Sequence, residues 1–180
     1  IPCLTTRIWN NDISNKTRRI YKPGNFDSLY SFFSECDWIV DNIYLGSAYS
    51  AVNSEVISKF SITSIANITK YIPNFYPEEI EYLNIKLDDN GKDDISLYQL
   101  NQCIEFIKKS SGNVLIHCLA GRSRSVTVIL YYLIKEKKMT LNEALTLIKK
   151  KRIYINPSVK LMGLLLHYQI IDNTIKIKQN

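Results

Sequence analysis

A continuous apolar strand, Val114-Leu115-Ile116, runs directly into a loop of small and basic residues, His117 to Ser125, and that loop runs into the nine-residue apolar stretch Val126 to Ile134, broken only by Thr127. An apolar strand without alternation is of the kind buried on both faces. A wholly apolar helix-length segment behind it must be buried as well. Strand, short loop and buried helix in immediate succession form the repeating unit of a sheet covered by helices. The chain is thereby directed toward an α/β layer structure.

The rest of the sequence repeats this alternation. Ile43-Tyr44-Leu45 ends at Gly46, and Ile62 to Ile68 and Tyr82 to Leu87 alternate apolar with polar residues, so each reads as a strand. Asn53 opens a helix over Ser54 to Phe60, and Leu97, Leu100, Ile104 and Ile107 make a helical stripe that ends at Gly112. Thr140 and Glu143 form a capping box ahead of Leu141, Ala144, Leu145 and Ile148, and Asn156-Pro157 starts a last helix through Leu161, Leu164, Leu165 and Tyr168. The expected fold is a single α/β domain with a central, largely parallel sheet of about five strands flanked by helices. In such sheets ligands sit at the C-terminal strand ends, where loops lead into helices. Residues 1–36 form a less regular arm with the basic cluster Lys16, Arg18, Arg19 and Lys22, residues 37–172 the domain, and residues 173–180 a tail. The arm reads as a solvated segment packed by Tyr30, Phe32 and Phe33, or as a basic strip able to dock an acidic groove.

Charge narrows the partners. The chain carries 23 Lys and Arg against 17 Asp and Glu, a formal +6. Residues 119–180 hold 12 of the former and 3 of the latter, so this third is +9 while residues 1–118 are −3. An anionic partner is expected at the C-terminal third. No apolar run approaches the ~20 residues of a membrane span, so no membrane span is expected. Four cysteines, Cys3, Cys36, Cys103 and Cys118, are too few for a disulfide scaffold and lack the paired spacing of a zinc site. A reducing setting, cytoplasmic or nuclear, is expected.

The chemistry sits in the loop. A strand that delivers a cysteine into His117-Cys118-Leu119-Ala120-Gly121-Arg122-Ser123-Arg124-Ser125 and turns into a helix N-terminus points consecutive amides inward. The helix dipole adds positive character at the same place, so Leu119, Ala120, Gly121, Arg122, Ser123 and Arg124 suit a phosphate-sized dianion. Cys118, at the bottom of that cavity, is favoured as thiolate and is the expected nucleophile. Arg124 can fold back and hold two phosphoryl oxygens. Ser125 can hydrogen-bond the sulfur when it becomes a leaving group, and His117 orients the loop through the backbone. Arg122 lies either at the pocket rim or on the plain surface. An acid is also needed to protonate the leaving oxygen, and Asp88, Asp89, Asp93 and Asp94 follow the strand Tyr82 to Leu87. Elsewhere Cys103 reads as core and His167 as a packing or surface residue, while Lys149, Lys150, Lys151 and Arg152 read as cations that complement the end of a helix.

The stretch HCLAGRSRS resembles the HCxxGxxRS motif of the cysteine-dependent protein tyrosine phosphatase superfamily, in the form found in its dual-specificity phosphatases. Five fixed residues match by chance with odds on the order of 10⁻⁴ or less over such a chain. Ile43-Tyr44-Leu45-Gly46-Ser47, Ile65-Ala66-Asn67-Ile68-Thr69 and Ile155-Asn156-Pro157 extend the similarity from Trp38 to about Tyr168, with Ser158 in place of the family's usual Asn. The resemblance implies a phosphatase-like catalytic domain over 37–172. It also implies hydrolysis of phosphotyrosine and phosphoserine/threonine in proteins through a cysteinyl phosphate, in a shallow pocket and with neither metal nor organic cofactor. Aligned on the family, the general acid falls on Asp89, with Asp88 as the second candidate. Two other readings stand beside it: the same chemistry on a phosphoinositide or an RNA 5′ phosphate, and a phosphate-binding module without turnover. The oligomeric state is not indicated.

Overall fold

The computed structural model describes residues 34–88 and 95–179, with side chains in the last helix as far as Asp172. Most of the arm expected over 1–36, and Asp89, Asp93 and Asp94, lie outside the described residues.

Five strands, β1 (Asp37–Val40), β2 (Ile43–Gly46), β3 (Ile62–Asn67), β4 (Glu81–Asn84) and β5 (Asn113–His117), form one sheet in the order β1-β2-β5-β3-β4. β2, β5, β3 and β4 are parallel and β1 pairs antiparallel with β2, which is the largely parallel α/β arrangement that the alternation implies. The apolar strand β5 occupies the centre. Its Val114 and Ile116 join the larger core, while Leu115 joins a smaller one with Ala51, Val56, Ile62 and Ile65. That division is the period of two expected of a strand covered on both faces.

Among the described residues six helices cover the sheet: α1 (Ala48–Val52), α2 (Ser54–Lys59), α3 (Leu97–Lys109), α4 (Arg124–Lys135), α5 (Leu141–Lys151) and α6 (Val159–Gln179). α1 and α2 supply the smaller core, and α3 to α6 the larger. α4 is buried from Arg124 to Ile134, wrapped by α3, α5 and α6. Each fully buried Ile or Leu in it contributes about 1.5–3 kcal/mol. Capping is as chemistry demands. Thr140 accepts from the Glu143 amide at 3.3 Å while Glu143 accepts from the Thr140 amide at 2.8 Å, and Ser96 with Gln99 does the same for α3.

Some boundaries depart from the sequence pattern. β4 stops at Asn84 although the alternation continues to Leu87. Ile85 and Leu87 stay buried, but β4 is an edge strand, and past Asn84 the chain keeps its facing without a full ladder. The last helix begins at Val159, two residues beyond Pro157, because the Ser158 hydroxyl accepts from the Leu161 amide at 3.4 Å and caps it. α3 ends at Lys109, ahead of Gly112. β1 and α1 carry no clear sequence period because four and five residues are too short to show one.

The register decides where a site can form. Gly46 of β2 and Asn67 of β3 both stand level with His117 of β5. Three parallel strands therefore release their loops at one height, around Cys118.

Candidate active site

The loop from Cys118 to Ser123 is built against neighbouring backbone. The Leu119 carbonyl accepts from the Ala48 amide at 3.1 Å, and the Arg122 carbonyl accepts from the Asn156 amide at 2.8 Å. Gly121 has φ 65°, and a Cβ there would lie 2.4 Å from the Gly46 carbonyl oxygen, so only glycine fits both the conformation and the space. Ser123 precedes α4 without capping it by its side chain. Its hydroxyl instead accepts from the Ser158 amide at 3.2 Å, and its carbonyl accepts the Thr127 amide at 2.9 Å and hydroxyl at 3.0 Å. The contact from residue 158 is made by backbone, which the Asn-to-Ser departure leaves in place.

Cys118 is 3% exposed at the floor of this loop. The Ser125 hydroxyl donates to its sulfur at 3.2 Å. Burial by itself would push the thiol up. The Ser125 hydroxyl and amide, the Arg124 charge and the Arg122 amide outweigh it and hold the thiol below its ordinary value. Cys36 and Cys103 provide the contrast: both are buried in the cores, and burial pushes each up to about 12. Of the cysteines described, Cys118 alone has its thiolate favoured, and thiolate is the reactive form.

His117 is 1% exposed and its Nδ1 lies 3.2 Å from the Cys118 carbonyl oxygen. A carbonyl only accepts, so Nδ1 carries the proton. Burial pushes this imidazole down to about 4; the Cys118 carbonyl draws it partly back up and the Arg124 charge lowers it again. A neutral ring tied to backbone orients the loop and carries no charge near neutral pH.

Arg124 is 8% exposed and donates from Nη1 to the Leu87 carbonyl at 2.9 Å. One bond thus joins the start of α4 to the chain that leaves β4. Leu87 and Ile95 are both buried in the larger core. Asp88 follows Leu87 directly, and its carboxylate accepts from the Tyr71 hydroxyl at 3.2 Å. Tyr71 itself extends from the loop after β3, which Asn67 organises by donating to the Ile72 carbonyl at 2.8 Å and accepting from Thr69 at 2.6 Å.

Arg122 sits between the two positions open to it in the sequence: exposed, yet with Nε donating to the Tyr154 carbonyl at 2.8 Å. Arg152 requires a correction. It reads in sequence as the last of four cations at a helix end, but it is 3% exposed and turned beneath the loop, with Nε donating to the Gly121 carbonyl at 3.1 Å and Nη1 paired with Asp37. The run Lys149 to Arg152 hid it. The usable signal was position, since Arg152 follows α5 and precedes the buried Ile155. His167 is exposed, and Cys103 is core. Among the described residues no three His, Cys, Asp or Glu side chains converge as a metal site, and no helix is long and apolar enough to cross a membrane.

The geometry gathers a buried thiol, backbone amides and a guanidinium at one place, an arrangement able to bind a phosphoryl group and attack it. Known proteins match the chain in sequence and in fold. The family model described as "Dual specificity phosphatase, catalytic domain" matches residues 43–171. Human dual specificity protein phosphatase 1 is 37% identical over 134 residues, covering 73% of this chain and 36% of its own length. Chicken dual specificity protein phosphatase 4 is 34% identical over 162 residues, covering 83% of this chain and 43% of its own. The chain thus spans well under half the length of these curated relatives. Among solved structures, human tyrosine phosphatase-like serine/threonine/tyrosine-interacting protein superposes with a TM-score of 0.70 at 27% identity, covering 77% of this chain and 97% of that one. With the family model spanning β2 to α6 and the loop geometry intact within it, the chain belongs to the dual-specificity phosphatase family.

Proposed function

We propose that this domain hydrolyses phosphate monoesters on tyrosine, serine and threonine side chains of proteins. The observation that carries this reading is the convergence of the Ser125 hydroxyl and amide, the Arg122 amide and Arg124 on Cys118 alone among the described cysteines. In the first step the Cys118 thiolate attacks phosphorus. The P–S bond forms, the P–O bond to the side chain breaks, and Asp89 gives its proton to the departing oxygen. The loop amides and the Arg124 guanidinium stabilise the charge that builds on the equatorial oxygens. In the second step Asp89 takes a proton from water, the water oxygen attacks phosphorus, and the P–S bond breaks. Ser125 hydrogen-bonds the sulfur as it leaves, and inorganic phosphate is released. Asp89 is preferred to Asp88 by alignment on the family. The engagement of Asp88 by Tyr71 also supports it.

Phosphorylated proteins are the proposed partners, and signalling the proposed role. A cavity that depends on a free thiolate suits the cytoplasm or nucleus. The test is a side-by-side assay of phosphotyrosine and phosphothreonine peptides, inositol phosphates and triphosphorylated RNA. Phosphopeptides are expected to give the highest kcat/KM, and a higher value on either of the other two classes would overturn the substrate assignment. Asp89→Ala is expected to slow phosphoserine and alkyl esters more than aryl esters. The same pattern in Asp88→Ala instead would move the acid by one residue.

A further inference from the structure

Arg152 closes α5, its amide donating to the Ile148 carbonyl at 2.8 Å. The three lysines before it face solvent wholly or in part, yet the Arg152 side chain is 2% exposed. A buried guanidinium is tolerated only with an anion and acceptors around it. Arg152 has both, on opposite sides: Asp37 Oδ2 of β1 lies 2.5 Å from Nη1, and the Gly121 carbonyl lies 3.1 Å from Nε. The planar fork reaches both at once from two nitrogens held in a fixed geometry, which a lysine ammonium does not offer.

Peptide planarity turns this contact into an effect on the thiol. The Gly121 carbonyl and the Arg122 amide belong to one trans peptide unit and point in opposite directions. With the carbonyl drawn outward to Arg152, the amide faces the cavity, and the Arg122 amide is one of the donors to the Cys118 sulfur. Gly121, at φ 65°, lacks the side chain that would otherwise restrict the orientation of this unit. Arg152, from outside the loop, supplies that restriction.

We propose that Arg152, held by Asp37, is a positioning residue that fixes the Gly121–Arg122 peptide with its amide aimed at Cys118 and at a phosphoryl oxygen of the bound substrate. The proposal rests on the reading of Cys118 as nucleophile. It goes beyond that reading in placing part of the thiol's activation in an ion pair between α5 and β1, outside the motif.

The experiment compares Arg152→Lys, Arg152→Ala and Asp37→Asn with the parent chain. One readout is the rate of Cys118 alkylation by iodoacetamide against pH, without substrate; the other is kcat and KM on an aryl phosphate. Below the thiol's midpoint, alkylation is expected to fall about threefold to tenfold, with its high-pH plateau unchanged. The kcat of Arg152→Ala is expected to fall about tenfold or more, by a larger factor than KM changes. Arg152→Lys and Asp37→Asn should lie between it and the parent, and they decide the matter if Arg152→Ala does not fold. Folded variants with the parent's alkylation profile and kcat, altered only in melting temperature, would overturn the proposal. Alkylation needs no turnover. A parent chain inactive on every phosphate ester would therefore refute the proposed function, while the alkylation comparison still decided the role of Arg152.

Discussion

Ser125→Ala removes the hydroxyl 3.2 Å from the Cys118 sulfur and little else. Residue 125 is 0% exposed at the start of α4, where alanine is accepted, and its amide still donates to the sulfur. A hydrogen bond to a charged partner contributes about 1.5–3 kcal/mol. The Arg122 and Ser125 amides and the Arg124 charge remain, so the lower figure applies, which is about a tenfold loss of thiolate at any pH below the midpoint. The direct assay is alkylation of Cys118 against pH. The rate should fall about tenfold on the acid side and keep its plateau on the alkaline side, because only the thiolate population changes. The same hydroxyl faces the sulfur when the P–S bond breaks, so hydrolysis of the intermediate should slow and an initial burst of released phenol should appear with an aryl phosphate. An alkylation profile superimposable on that of the parent would refute the reasoning, since no other consequence of losing a 3.2 Å donor to a buried thiolate is open.

Gly121→Ala forces a left-handed residue to carry a Cβ, at about 1–2 kcal/mol, and sets that carbon 2.4 Å from the Gly46 carbonyl oxygen. A total loss of about 2–4 kcal/mol is expected, read as a melting temperature roughly 5–15 °C lower, together with at least about tenfold loss of kcat as the Arg122 amide moves. A variant that matches the parent in both would contradict the loop geometry. His117 gives a pH dependence. Its folded value of about 4 lies below its ordinary 6.5, so the folded state binds fewer protons than the unfolded chain between these values. The associated stability is complete above pH 6.5 and drains away as pH falls toward 4, by about 1.4 kcal/mol per unit. Urea unfolding at pH 7 and pH 5 should show this loss in the parent and a difference smaller by about 2 kcal/mol in His117→Gln. An equal pH difference in the two proteins would place the imidazole in solvent in the folded state.

The sheet and the main elements of the site were legible because their signals are local. The apolar run Val114–Ile116, the capping box at Thr140 and the order of residues from His117 to Ser125 each carry their meaning in a few consecutive positions. The supports were not legible, because they are made by backbone or by residues distant in sequence. The Leu87 carbonyl that receives Arg124 has no side-chain signature, and the Ser158 amide would be present whatever residue stood there. Asp37 and Arg152 are paired across 115 positions, and the composition of the Lys149–Arg152 run argued for solvent. The end of β4 was missed for a related reason: Ile85 and Leu87 keep a strand's alternation of burial while the ladder has already ended.

The central claim is that phosphate passes through a bond to the sulfur of Cys118. The most direct measurement is rapid acid quenching of the protein during turnover of a ³²P-labelled phosphopeptide, followed by mapping of the labelled fragment. The expected result is acid-stable label on the fragment containing Cys118, absent from Cys118→Ser, which binds the phosphopeptide without turning it over. Label on a different residue, or a Cys118→Ser protein that still releases phosphate, would contradict the account.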